Sequence, residues 1–383
     1  MNQRKIAIAY FSNATTRGGA EEHILCLMRQ LDRRYYRVFL ICPPELAVLL
    51  TADLPADVET FELYFERVTQ IGAAYRLATF LRQHQIDILH SHLFRASLVA
   101  SPVAKLSGVP VTIETPHIRE LWRRGFKASF FVDRLGGRFV DYYIAVSESN
   151  ARYLIDEKRL PERKVRAIQN GADLCRFNPA HVAPRGMKES LGFAPHDPVI
   201  LFVGRLEPQK GHTVLLQALH EVRKDFPCVR LICAGEGSLR GELEQQAASL
   251  QIQESVRFVG RQSNIADWLA LADFCVLPSY YEGLPLVAIE SLAAGRTIVA
   301  TAVDGTPEVV VDGKTGLTVP AGNSQALATA IRRMLQEPEL RRKMAHAGRD
   351  WVLERFSLDR QVQRTQELYL QACKEKAALH ENS

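Results

Sequence analysis

Missing from this 383-residue chain are an Asp-x-Asp motif, a C-x-x-C pair and long apolar runs. No Asp-x-Asp occurs, so the acidic pair that holds a divalent ion on a diphosphate in many enzymes is absent. The seven cysteines are odd in number, include no C-x-x-C pair and mostly sit inside apolar runs, which argues against a disulfide scaffold and for a reducing compartment. No apolar run approaches bilayer-spanning length, and MNQRKIAIAYFSNA meets polar residues soon after its short apolar stretch, so the expected location is cytoplasmic. Charge is also modest. The net value is +5, with 25 Lys and Arg against 19 Asp and Glu in residues 1–180 and near balance beyond. A nucleic-acid partner is not expected, since it usually brings a denser basic patch.

What is present is a rhythm. Short Val/Ile/Leu runs (KIAIAYF, VFLIC, IDILHSH, VPVTIET, YYIAVS) alternate with longer amphipathic stretches, then restart as VILFVGR, VRLICAGEG, SVRFVG, FCVLPS, TIVATAV and TGLTVP. Such alternation means repeated strand-helix-strand units, and near-continuous apolar strands mean parallel sheets covered on both faces. The expected fold is α/β, with two Rossmann-like domains facing a cleft. A polar, Pro-containing interval at 178–197 separates them, giving residues 1–180 and 181–356. The stretch from Arg355 to about Lys376 reads as one amphipathic helix, with residues 357–383 rejoining the first domain. In open parallel sheets ligands bind beyond the carboxyl ends of the strands.

Residues that follow the apolar runs are therefore the candidates. In SYYEGLPLVAIESLAAG, Glu282 and Glu290 stand eight residues apart around Gly283, Leu284 and Pro285. Pro285 suits the first helical position, Glu282 belongs to the turn and Glu290 to the helix. A helix start favours an anion, while a carboxylate accepts bonds from neutral hydroxyls, a combination suited to a ligand that is half phosphate and half sugar. FVGRLEPQKGH places Arg205 and Lys210 five residues apart across a Pro-containing turn, where both cations can reach one diphosphate; a solvated surface pair is the plain alternative. It is not a P-loop, because Lys210 is followed by Gly211 and His212. Gly18 and Gly19 open a helix after the first strand, letting backbone amides approach a ligand. Gly235, in AGEGSLRG, and Gly260, in RFVGR, are candidates for contact with a nucleotide or its base. Neither glycine segment matches the dinucleotide fingerprint.

His117 lies just past VPVTIET and should point into the cleft, although a lone histidine is more often structural. His90 and His92 share one face of a strand; a metal reading fails for want of a third ligand. NGAD at 170–173 reads as a turn leading out of the first domain. RELWRRGFKASFF at 119–131 interleaves cations with aromatics, as a segment in an anionic lipid surface does, or as a solvated helix packed on its own domain does.

With these motifs in this order, the chain resembles the retaining glycosyltransferases of family 4, with the GT-B fold. The resemblance implies transfer of a sugar from a UDP- or GDP-sugar to an acceptor hydroxyl, in cell-envelope polysaccharide or glycolipid synthesis, without a metal or other cofactor. It implies that Glu290 binds the ribose and Glu282 the transferred sugar, and that Arg205, Lys210 and the amides near Gly283 and Leu284 hold the diphosphate. It places Gly18 and Gly19 by the donor phosphate or the acceptor, and His117 beside the transferred sugar. The acceptor is expected to be a saccharide or lipid-linked saccharide, with peripheral attachment to the inner face of the membrane. Alternatives are a nucleotide-sugar epimerase on the same scaffold and a non-catalytic sugar-nucleotide-binding protein.

Overall fold

The computed structural model describes residues 4–67, 69–119 and 129–381. Two compact units emerge: residues 1–170 with 358–383, and residues 171–357. The first is built on seven parallel strands: β1 (Ile6–Ser12), β2 (Tyr36–Cys42), β3 (Glu59–Glu62), β4 (Ile88–His92), β5 (Val111–Thr115), β6 (Tyr142–Ala145) and β7 (Val165–Ala167), in spatial order β3-β2-β1-β4-β5-β6-β7. The second has six: β8 (Val199–Val203), β9 (Arg230–Ala234), β10 (Val256–Gly260), β11 (Phe274–Leu277), β12 (Ile298–Thr301) and β13 (Gly316–Val319), in order β10-β9-β8-β11-β12-β13. Both are Rossmann-like sheets of the GT-B fold class.

Strand β1 shows why its sequence is apolar throughout. Successive side chains point to opposite faces: Ile8 and Tyr10 enter one core cluster and Ala7, Ala9 and Phe11 the other. Both faces are covered, so neither parity is polar. Strand β3 (ETFE) escapes sequence reading because it lies at the edge, with three of its four residues exposed.

The C-terminal helix is Leu358–Glu381, and it belongs to the first unit. Leu358, Val362, Thr365, Tyr369 and Ala372 are buried at helical spacing, four of them in the first unit's apolar core. Its start differs from expectation. Arg355 ends a separate helix, Pro338–Arg355, because the buried Phe356 takes a non-helical conformation and its carbonyl accepts from the Ala172 amide at 3.0 Å. Ala172 also bridges Ser357 in parallel, so the two segments that cross between the units lie side by side within the second. Residues 171–180 accordingly pack with the second unit, where Ala172 and Phe177 join its core. Of the basic aromatic stretch at 119–131, residues 120–128 lie outside those described. Among the described residues no helix is long and apolar enough to cross a membrane.

One glycine couples the strand ends of the second sheet. Gly211 adopts a left-handed φ of 69°, and a Cβ there would overlap the carbonyl oxygen of Pro278, just past β11. Gly211→Ala is expected to lower stability by about 2–4 kcal/mol, from strain and overpacking together. Chemical denaturation of the purified variant checks this; an unshifted midpoint would refute the packing account.

Candidate functional site

In the second unit the sequence-selected residues gather at the carboxyl edge of β8 and β11, the neighbours from which the strand order runs outward in opposite directions. Connections leave such a pair in opposite directions, and a crevice opens between them. After β8 the chain passes Arg205, makes a 3-10 turn over Pro208–Lys210 and enters the helix His212–Arg223. Gly211 brings this turn against the one after β11. Lys210 Nζ donates to Glu282 Oε1 at 2.6 Å, and the Ser279 hydroxyl donates to the same oxygen at 2.6 Å. Gln209 reinforces the contact: its side-chain amide donates to the Tyr281 carbonyl at 2.8 Å, and its carbonyl accepts from the Tyr280 amide at 2.8 Å.

Glu282 is 6 % exposed. Its amide donates to the Asp304 carboxylate at 3.0 Å, and Asp304 itself holds a left-handed φ of 42° in the turn after β12. Among the described residues Glu282 Oε2 makes no hydrogen bond, and neither does the exposed Arg205 guanidinium. Pro285 caps the helix Leu286–Ala293, one position earlier than expected. The first amides bonded back to the Pro285 carbonyl are those of Ala288 and Ile289. Those of Gly283, Leu284, Leu286 and Val287 have no hydrogen-bond partner among the described residues. Half-buried Glu290 follows in the second turn of the helix.

The first unit has a switch point of its own, between β1 and β4, and there the groups are imidazoles. His90 and His92 end β4, His117 lies two residues past β5, and His23 comes from the helix Gly19–Gln30. His92 Nδ1 and His117 Nε2 are 2.8 Å apart. His90 is held by Tyr369 at 2.6 Å and Thr115 at 2.7 Å. His23 Nδ1 meets the Asn170 side-chain oxygen at 2.8 Å and the Gln361 amide at 3.1 Å. The neighbours that the sequence did not reveal to His90 and His92 are thus two further histidines, with ring nitrogens engaged in hydrogen bonds. Among the described residues no three His, Cys, Asp or Glu are placed to hold a metal ion.

Both halves of the chain match family models: residues 17–176 match Glycosyltransferase Family 4 and residues 186–351 match Glycosyl transferases group 1. An alpha-maltose-1-phosphate synthase of Mycolicibacterium smegmatis is 31% identical over 304 residues, covering 74% of this chain and 78% of that protein. A D-inositol 3-phosphate glycosyltransferase of Streptomyces avermitilis is 31% identical over 346 residues, covering 85% and 72%. The chain belongs to glycosyltransferase family 4. Solved structures agree in fold: a glycosyltransferase of Rickettsia africae superposes with a TM-score of 0.83 at 22% identity, over 97% of this chain and 100% of that one. The Anabaena protein HepE in complex with UDP and glucose gives 0.82 at 21% identity, over 95% and 99%.

For a family 4 glycosyltransferase, the glycines divide instructively. The Gly18 amide donates to Glu21 Oε2 at 2.9 Å, so it is engaged within its own turn, whereas a Cβ on Gly19 would meet open space. The Gly235 amide donates to the Gly260 carbonyl at 2.8 Å, and a Cβ on Gly235 would overlap the Gly204 carbonyl. Gly235 therefore has a packing reason to be glycine, and Gly260 a conformational one, its φ being 72°. Sequence reading missed Ser279, Gln209 and Asp304 around Glu282, and His23, Asn170, Gln361 and Tyr369 around His117. The turn composition of VDGT could have marked Asp304; nothing in the sequence marks Tyr369.

Burial pushes His23 from the ordinary 6.5 down to about 4, against the opposing pull of its Asn170 bond. Burial, then the neighbouring imidazoles, holds His90, His92 and His117 well below the ordinary value. The folded protein thus keeps these rings neutral while the unfolded chain titrates them near 6.5. Below that pH the unfolded state binds more protons, so stability rises with pH across the window and falls on acidification. Between pH 6.5 and 5, above most carboxylate titration, the unfolding free energy should drop by up to about 1.4 kcal/mol per pH unit for each ring that becomes protonated on unfolding, and the urea midpoint should fall with it. A midpoint that stays flat over this range would contradict neutral burial.

Proposed function

We propose that the protein is a retaining, metal-independent glycosyltransferase that moves a sugar from a UDP- or GDP-sugar to an acceptor hydroxyl. The observation that carries the donor assignment is the juxtaposition of the Lys210–Glu282 pair with four unpartnered amides at the start of Leu286–Ala293. Cations and amides suit a diphosphate, and carboxylates suit sugar and ribose hydroxyls. Arg205, Lys210 and the amides of Gly283 and Leu284 hold the diphosphate, Glu282 the transferred sugar and Glu290 the ribose. The second unit carries the donor and the first the acceptor, a saccharide or lipid-linked saccharide of the cell envelope.

As the bond from the anomeric carbon to the phosphate oxygen breaks, negative charge grows on the departing diphosphate, where fixed cations and amides stabilise it more than in the ground state. Retention through a nucleophilic carboxylate needs a second carboxyl across the anomeric carbon. Asp304, the other carboxylate beside Glu282, is engaged with the Glu282 amide. By resemblance to family 4, the reaction is a front-face displacement: the acceptor oxygen forms its bond on the face the phosphate leaves, and its proton passes to a phosphate oxygen. Lys210→Ala should lower kcat by about 10²–10³-fold, and Glu282→Gln by about tenfold or more. Nucleoside diphosphate release with UDP- and GDP-sugars, with and without acceptor, measures this. Unchanged turnover in both variants or an inverted product anomer refutes the mechanism, and sugar release without acceptor points to the epimerase.

Membrane attachment has support of its own. Helix Ser129–Gly136 exposes Phe131, Val132 and Leu135 on its surface beside exposed Arg134, with exposed Arg138 in the turn that follows. Aromatic insertion with cations over anionic headgroups suits that face. Co-sedimentation with phosphatidylglycerol vesicles should fall by well over tenfold in a Phe131→Ser, Leu135→Ser variant, since each buried CH₂ is worth roughly 0.8 kcal/mol and tenfold needs only about 1.4 kcal/mol. Equal binding of variant and parent, or none by the parent, overturns it.

A further inference from the structure

We propose that His92 is a positioning residue that holds the His117 ring as its Nδ1–H tautomer. The proposal rests on the reading that His117 serves the transferred sugar, and it concerns which hydrogen-bonding character that ring presents.

His92 Nδ1 and His117 Nε2 lie 2.8 Å apart with their rings 27° from parallel, so a single proton sits between them. A neutral imidazole carries one N–H and one bare nitrogen. Were His117 Nε2 the donor, His92 Nδ1 would have to accept, and the proton of His92 would move to its Nε2. That atom is fully buried and has no hydrogen-bond partner among the described residues. The arrangement would strand an N–H in the core, and buried N–H groups without an acceptor are rare in native proteins. With His92 Nδ1 as donor, the atom left unpartnered is a bare nitrogen and His117 is forced to keep its proton on Nδ1. The His117 ring then offers a donor on the side away from His92, suited to an oxygen of a sugar or acceptor.

The surroundings fix the pair in place. His23 stands edge-on to both rings, at 5.5 Å from His92 and 4.9 Å from His117, and is itself tied to Asn170 and Gln361. His90 packs on the other side of His92, 4.3 Å between ring centroids, held by Tyr369 and Thr115. His92 is wholly buried and His117 nearly so at 7 % exposed. Burial keeps the set neutral, which the single shared proton requires.

Long-range ¹H–¹⁵N spectra of the full-length protein, labelled at histidine ring nitrogens, test this without substrate. The expected spectrum shows His117 protonated at Nδ1 and bare at Nε2; a protonated His117 Nε2 overturns the proposal. His92→Asn sets an amide donor where Nδ1–H stood and should keep most of kcat, while His92→Leu should lose about tenfold or more with a much smaller change in donor KM. Equal kcat in the two variants overturns it. Should His92→Leu fail to fold, the wild-type spectrum decides. His117→Ala tests the underlying reading separately, because full turnover there would dismiss His117 from the reaction without altering the tautomer seen in the wild type.

Discussion

An ammonium and a carboxylate that are 72 residues apart in sequence, and largely removed from water, meet at 2.6 Å, and the turns after β8 and β11 take their shape from that contact. Removing either partner would leave the other charge uncompensated, at a cost of about 3–5 kcal/mol for a fully buried pair and less for one with this residual exposure. The neighbouring groups make sense as support for it. Ser279 shares the Lys210-bonded oxygen, Gln209 laces the two turns, and Asp304 tolerates a left-handed backbone to hold the Glu282 amide. Gly211 is the steric condition for all of this, since any side chain there would push the two turns apart.

The first unit reaches the same topological position by the opposite electrostatics. Its switch point collects four histidines, all kept neutral because burial penalises the charged form, and for His90, His92 and His117 neighbouring imidazoles add to that penalty. Neutral rings both donate and accept, so they can be chained through hydroxyls and amides without a counter-ion. The C-terminal helix supplies two of the links, Tyr369 to His90 and Gln361 to His23. The last segment of the chain is therefore a structural part of the histidine set, and not merely a cover for the sheet.

Sequence reading located elements better than it located partnerships. The period of the apolar runs identifies eleven of the thirteen strands outright, because buried parallel strands are apolar on both faces. It does not show β3, whose exposed edge residues lack that pattern, or that VRAI at β7 completes the first sheet. Glu282 and Lys210 could each be selected from a turn at a strand end, but their bond depends on β8 and β11 being adjacent, which is strand order and is not written in either motif. The histidine set was harder still. His23 and Gln361 are 338 residues apart, and only the folded chain brings them together. Conversely, Gly235 reads in sequence as a ligand turn, yet its packing against the Gly204 carbonyl already requires the absence of a side chain.

The ion pair also bears on how a donor could arrive. A lysine ammonium has three hydrogens, and one is directed at Glu282 Oε1. Two remain for phosphate oxygens, so a diphosphate can engage Lys210 without breaking the pair. Glu282 Oε2 stays available to accept from a sugar hydroxyl. On the proposed reading the two halves of the donor are thus sensed by the two ends of one bond: charge that develops on the diphosphate draws on Lys210, while the sugar's orientation is set by the carboxylate that Lys210 and Ser279 hold still. This coupling needs the pair intact, which is why neutralising Glu282 should disturb the phosphate side as well as the sugar side.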